Sequence, residues 1–230
     1  MTNTAWDDPA VREGMRRMLG HRSEYLGKGD RTIGWKLGFG APFWLEKFGL
    51  DGPLVGFLPA SRRHEPGAIV SCRGWVNPVA EPEIAIYLGR DVDDPASAAD
   101  AISGLGAAIE LADVDPPPED ISDVLAGNIF HRAVILGEHD PSRSDGTTAG
   151  IRARITQGSS EVADTTDLER LTGEIVSILG HAAALLQAAG ETLRAGEVVI
   201  MGSVIPPIPV RPGDVITYEL SPLLPISVRV

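Results

Sequence analysis

Glu81 and Glu83 flank a single proline in the apolar run EPEIAIYL (81–88). If that run is a strand, alternate residues share one face, and a rise of about 3.3 Å per residue brings the two Cβ atoms to roughly 7 Å of each other. Carboxylates so placed repel unless a cation sits between them. Glu110 lies among apolar neighbours in AAIEL (107–111), where an unpaired charge costs on the order of several kcal/mol. A divalent metal answers both problems, and three carboxylates that leave coordination positions open suit Mg2+ or Mn2+. The same residues also describe a solvated strand edge for the pair and a salt-bridged Glu110. Lys36 stands between Trp35 and Leu37 and is one of only three lysines, with Lys28 and Lys47. It either carries its ammonium out to water or holds it in a pocket, where it polarises a carbonyl or moves a proton. His21 and Glu24 fall one helical turn apart, a spacing that serves a general base as well as a solvated helix end. His64, His131 and His139 offer no cluster with ligand spacing.

The elements that must position these groups follow from periodicity. Val11, Met15, Met18 and Leu19 recur at helical spacing over 9–25, after Asp7 and Asp8 as cap candidates. TIGWKLGF (32–39) reads as a strand and 42–48 as a helical turn ended by Gly49. The stretch that follows, up to Pro78, is so punctuated by Gly and Pro that it permits only short strands, clearest at 68–72. Strands are expected at 81–88, 107–111 and 133–136, a small-residue helix at 96–104, an extended loop at 116–118 and one or two helical turns at 119–125. IRARIT (151–156) turns back at 158–160 into a second strand, and the longest helix is expected at 168–189, with Gly190 as its cap. Three last strands fit 197–201, 215–219 and 226–230. Many short strands and few helices, without βαβ alternation, make this an α+β, mostly β fold with a mixed sheet.

With 43% apolar and 23% charged residues over 230 positions, the chain is expected to form one globular unit that needs no disulfide or metal staple to fold. A metal would therefore be there for chemistry. The net charge of −12 repels phosphate backbones and anionic lipid surfaces, so neither nucleic acid nor membrane is expected as a partner. An acidic substrate would need a local cation to hold it. Cys72 is the lone cysteine, the N-terminal residues show no targeting pattern, and the longest nearly apolar stretch, 182–190, is about half of the ~20 residues a spanning helix requires. A cytoplasmic protein is the expectation.

An ordered series of short blocks resembles one known family. Gly34-Trp35-Lys36-Leu37-Gly38, residues 53–56, Glu81-Pro82-Glu83-Ile84-Ala85 and Ala108-Ile109-Glu110-Leu111 come first, then Leu125-Ala126-Gly127-Asn128, Leu136-Gly137, Leu179-Gly180-His181, Ala195-Gly196-Glu197, Met201-Gly202-Ser203 and Pro212-Gly213-Asp214. They are similar to the 2-oxopent-4-enoate hydratase and 4-oxalocrotonate decarboxylase branch of the fumarylacetoacetate hydrolase superfamily, over about 34–230. The resemblance implies a mixed β roll with a few peripheral helices. It divides the chain into an N-terminal helical segment, 1–33, packed on a single catalytic domain, 34–230.

On that mapping Glu81, Glu83 and Glu110 are the metal ligands, Lys36 is the active-site lysine, and Asn128, Ser203, Phe130 and Leu54 face the substrate. The implied cofactor is Mg2+ or Mn2+, chelated by the C1 carboxylate and C2 oxygen of a small 2-oxo acid, and the implied assembly is a homo-oligomer. His181 matches a family position, where a hydrogen-bonded structural role is expected. Hydratases of this branch carry an acidic residue where Leu54 stands, another at Gly127 and a small polar one at Phe130, so the pocket here is expected to be more apolar. Three functions compete. The first is a metal-dependent lyase, hydratase or decarboxylase, acting on a short 2-oxo or 2-hydroxydienoic acid. The second is an acylpyruvate-type C–C hydrolase in which His21 and Glu24 activate water. The third is a non-catalytic family member.

Overall fold

The computed structural model describes residues 4–230, so residues 1–3 of the expected N-terminal segment lie outside the described residues. The chain runs through α1 (Pro9–Gly27), β1 (Thr32–Gly38), α2 (Pro42–Phe48), β2 (Leu54–Pro59), β3 (Arg63–His64), β4 (Ala68–Ile69), β5 (Pro78–Leu88) and β6 (Ile102–Asp113). It continues through α3 (Ile121–Ala126), β7 (His131–Asp140), β8 (Arg152–Gln157), β9 (Ser160–Thr165), α4 (Ile175–Ala188), β10 (Val198–Ser203), β11 (Ile208–Pro209), β12 (Val215–Ser221) and β13 (Ile226–Arg229).

The larger sheet has the order β2-β1-β10-β5-β6-β7-β3, with β11 added alongside β5. β1 and β10 are parallel, as are β3 and β7, while the β5–β6 and β6–β7 pairs are antiparallel, which makes the sheet mixed. β2 and β3 end opposite edges of this order, yet only Ala60–Arg62 separates them in the chain. The sheet must therefore curl until its edges meet. Leu58, Ala85, Ala108, Val134, Leu136, Val198 and Ile200 form a buried apolar cluster of their own, drawn from five strands of this sheet, and fill the inside of the roll. The main core lies on the outer face, between the roll, the helices and the second sheet, β4-β13-β12-β8-β9.

Asp8 caps α1 by accepting from the Ala10 amide at 2.7 Å, and the helix buries Val11, Met15 and Met18. It lies on α3, where a Cβ on Gly14 would come within 2.7 Å of Leu125 and where Arg17 reaches Asp123 at 2.8 Å.

Several elements differ from the sequence reading. β2 is a fully buried six-residue strand in a stretch that its Gly and Pro content marks as irregular. Gly56 is required there, because a Cβ would meet Asn128 Oδ1 at 2.6 Å and the Lys36 stem at 3.1 Å. The expected helix at 96–104 is a short 3-10 segment, Pro95–Ala101, and β6 begins directly after it. The helix expected from residue 168 starts only at Ile175, because Gly173 takes φ 90° and the Glu174 side chain caps the Ser177 amide at 2.7 Å. At 14 residues it is shorter than α1, which has 19. The strand expected at 68–72 is limited to Ala68–Ile69.

Candidate metal centre and substrate cavity

Strand register brings the carboxylates together. Glu81 on β5 stands directly opposite Glu110 on β6, and Glu83 follows Glu81 on the same face. Lys36 on β1 pairs with Ile200 of β10, which pairs with Ala85 of β5, so the lysine shares the inner face with the three glutamates. Its neighbours Trp35 and Leu37 point the other way into the main core, where the Trp35 indole N–H donates to Glu197 at 3.1 Å. Gly34 allows this approach. It has φ 147°, and a Cβ there would sit 1.8 Å from the Val198 carbonyl oxygen.

One carboxylate oxygen from each of Glu81, Glu83 and Glu110 lies within 4.8 Å of the other two. Glu110 Oε1 accepts from Lys36 Nζ at 2.5 Å and lies 2.7 Å from His131 Nδ1, while Glu110 Oε2 is buried with no protein partner. Glu83 Oε2 accepts from the Gly202 amide at 2.7 Å. Lys36 Nζ also donates to the Ile129 carbonyl at 3.0 Å. That carbonyl belongs to a run of three left-handed residues, Asn128, Ile129 and Phe130, with φ of 54°, 50° and 62°. Each costs on the order of 1–3 kcal/mol in a non-glycine residue, and such strain persists only where the surroundings enforce it. Asn128 supplies part of the restraint by clasping Phe57, its Oδ1 accepting from the amide at 2.8 Å and its Nδ2 donating to the carbonyl at 2.9 Å.

The protonation pattern follows from burial and crowding. Burial raises the Glu81 carboxyl, the charge of Glu110 raises it further, and Lys36 offsets only part, leaving it at about 7. Burial, then Glu110 and Glu81, push Glu83 well above the usual carboxylate value. Glu110 goes the opposite way, because the pull of Lys36 and of His131 outweighs its burial. Burial works against the Lys36 ammonium, yet Glu110, Glu81 and Glu83 together hold its pKa above the ordinary value. His131 is lowered by burial and is therefore neutral, donating through Nδ1 to Glu110. Three converging oxygen donors, one with an orphaned buried oxygen and two pushed toward the neutral form by burial and by the charge of Glu110, fit a divalent cation of the Mg2+ or Mn2+ type.

These groups border a cavity of about 410 Å³. Lys36, Glu81 and Glu83 form its charged end. Phe39, Trp44, Phe130, Leu171, Ile205 and Met201 make up much of the wall, and Thr172 and Ser203 add hydroxyls. Phe43, 65% exposed, stands at the mouth.

Of the residues singled out in the sequence, Lys36, Glu81, Glu83, Phe130 and Ser203 line this cavity, and Glu110 joins them through Lys36. Leu54 does not: it is 1% exposed and packs in the main core. Asn128 is spent on the Phe57 backbone and, with His21 and Glu24, lines a separate depression. His21 Nδ1 there meets the Ala126 carbonyl at 2.9 Å. His181 does not line the cavity; its Nε2 lies 3.0 Å from the Pro53 carbonyl and its ring packs against Gly52. His131 is the site residue that sequence reasoning left unassigned. Its one signal is a position three residues after Asn128, at the start of a buried strand.

A curled mixed sheet with a carboxylate triad and a buried lysine at one end defines a class of β-roll proteins built to gather oxygen ligands. The family model for the fumarylacetoacetate (FAA) hydrolase C-terminal region matches residues 47–230, and the chain belongs to that family. Among curated relatives, the 4-oxalocrotonate decarboxylase of Pseudomonas sp is 26% identical over 234 residues, covering 97% of this chain and 88% of the relative. The 2-hydroxyhexa-2,4-dienoate hydratase of Comamonas testosteroni is 28% identical over 196 residues, covering 81% and 73%. Among solved structures, the 4-oxalocrotonate decarboxylase from Pseudomonas putida G7, complexed with magnesium and adipate, superposes with a TM-score of 0.82 at 22% identity, covering 92% of this chain and 82% of the other. That likeness establishes the fold, the mixed roll expected from the sequence.

Proposed function

We propose that the protein is a divalent-metal-dependent lyase, a hydratase or decarboxylase, acting on a short 2-oxo or 2-hydroxydienoic acid. The observation that carries this reading is the convergence of Glu81, Glu83 and Glu110 beside Lys36 at the charged end of an otherwise apolar cavity. The names of the relatives, decarboxylases and dienoate hydratases, point to the same chemistry.

In this reading the three glutamates hold Mg2+ or Mn2+. A cation held there would supply Lewis acidity to the 2-oxo group of the substrate. Glu110, kept ionised by Lys36 and His131, presents its unpartnered oxygen. Lys36 keeps its proton at Nζ, held by Glu110 and the Ile129 carbonyl, and provides a fixed positive donor beside the reacting carbons. The apolar wall excludes bulk water, which strengthens each of these interactions. Ser203, opposite Glu83 in the β10–β5 register, offers a hydroxyl to the substrate head.

The placement of His21 and Glu24 outside the cavity favours the lyase over the acylpyruvate hydrolase. No helix among the described residues is long and apolar enough to cross a membrane, and we read the protein as cytoplasmic. Exposed Ile69 and Val76, at 74% and 61%, support assembly with further copies of the chain, which light scattering would test.

The decisive experiment is calorimetric titration of oxalate, a mimic of a 2-oxo acid enolate, into metal-stripped protein with and without Mg2+. Binding that requires Mg2+ and is lost in Glu83→Ala is expected, followed by turnover of either a 2-hydroxydienoate, the hydratase substrate, or an oxalocrotonate, the decarboxylase substrate. Binding under neither condition would refute the reading.

A further inference from the structure

We infer that the site takes monocarboxylic acids with a bulky apolar, preferably aromatic, group at the end remote from the carboxylate, and rejects dicarboxylic ones. The inference rests on the lyase reading of the same cavity, selects its hydratase form, since a decarboxylase that keeps the C1 carboxylate must admit a second carboxyl group, and adds the identity of the substrate's tail.

Only one end of the cavity is charged. Among the described residues that line it, Lys36 is the sole cation, and its ammonium is already committed to Glu110 and the Ile129 carbonyl. Of the two lining hydroxyls, Ser203 lies at the charged end, opposite Glu83, and Thr172 donates to the Gly173 carbonyl at 3.1 Å. Lys47, the cation nearest the aromatic wall, stacks on Trp44 at 4.9 Å and donates to the Pro118 carbonyl at 3.2 Å, and it does not line the cavity. A second carboxylate laid against this aromatic wall would thus meet apolar surface and no charged partner, a cost that a neutral tail avoids.

The remote wall is also shaped for a ring. Phe39 packs edge-on to Trp44 with centroids 5.0 Å apart and lies 6.4 Å from Phe130. Phe39 and Phe130 both hold left-handed backbone, φ 63° and 62°, so strained main chain on two separate loops serves to set two rings into one wall. The volume of about 410 Å³ falls in the range of roughly 300–1,000 Å³ that accommodates drug-sized ligands, more than a five-carbon acid requires.

The test is calorimetric affinity for a series of 2-oxo acids on Mg2+-loaded protein: 2-oxobutanoate, 2-oxohexanoate, 2-oxo-4-phenylbutanoate and 2-oxohexanedioate. The phenyl compound is expected to bind roughly tenfold or more tighter than 2-oxobutanoate, and the diacid roughly tenfold or more weaker than 2-oxohexanoate. Phe130→Arg should reverse the second preference, with thermal melting reporting that the variant folds. Equal affinity across the series, or a diacid that binds as well as its monoacid counterpart, overturns the inference while leaving metal-dependent oxalate binding, and the lyase reading, in place. Failure of every compound including oxalate overturns both.

Discussion

His131 Nδ1 lies 2.7 Å from Glu110 Oε1, the oxygen that also accepts from Lys36. Two donors on one oxygen leave Oε2 as the unpartnered atom of the carboxylate. The neutral imidazole thus aims a proposed metal ligand without adding charge to the site.

His131→Ala should therefore weaken Mg2+ binding by about tenfold, within the range found for partners that orient metal ligands. His131→Gln, whose amide can donate to the same oxygen, should recover part of the loss. An unchanged dissociation constant in His131→Ala, measured by calorimetry, would remove His131 from this role.

Lys36→Met leaves Glu110 buried with only a neutral partner. Breaking a buried ion pair by removing one member costs about 3–5 kcal/mol, so urea unfolding of the metal-free variant should shift by an amount of that order. Turnover should be lost as well, and added Mg2+ should restore stability without restoring activity.

Glu81→Gln should have opposite effects with and without metal. It removes one of three crowded carboxylates, so the metal-free protein should melt higher than wild type. It also removes a proposed ligand, so the rise in melting temperature on adding Mg2+ should vanish. A variant that melts lower without metal yet keeps the metal response would contradict this account.

The Glu81 carboxyl sets a pH dependence. Its folded pKa of about 7 lies above the ordinary 4.5, so between those values the folded chain carries a proton that the unfolded chain has lost. Through this group the stability of the metal-free protein falls as pH rises from 4.5 to about 7 and is level beyond. Mg2+ competes with the same proton, and its affinity should strengthen over that window. Melting curves of wild type and Glu81→Gln, with and without Mg2+, isolate the contribution as the difference between them.

Much of this site was legible because charge in an apolar strand is costly. Glu110 in AAIEL and Lys36 between Trp35 and Leu37 both violate the pattern around them, and the two-residue period places Glu81 beside Glu83. What period alone cannot supply is register between distant strands. His131 reaches Glu110 only because β6 and β7 pair as they do, with an irregularity between Leu111 and Ala112. Leu54 and Asn128 are expected at the substrate from the family resemblance, which maps positions and not the direction of each side chain. They stand on a strand and a loop whose side chains turn into the core and onto the Phe57 backbone. β2 was hidden because Gly56 and Pro59, which look like breakers, are an opening for the Lys36 stem and the end of the strand.

The three residues Ala60–Arg62 carry the chain from the first seat of the sheet to the last. They act as a clasp on a bracelet. Ser61 and Arg62 are exposed, so this segment looks like an ordinary surface loop, yet cutting it would free both ends of the ring at once. A nick there should loosen the acidic triad on the far side as surely as a defect in the core.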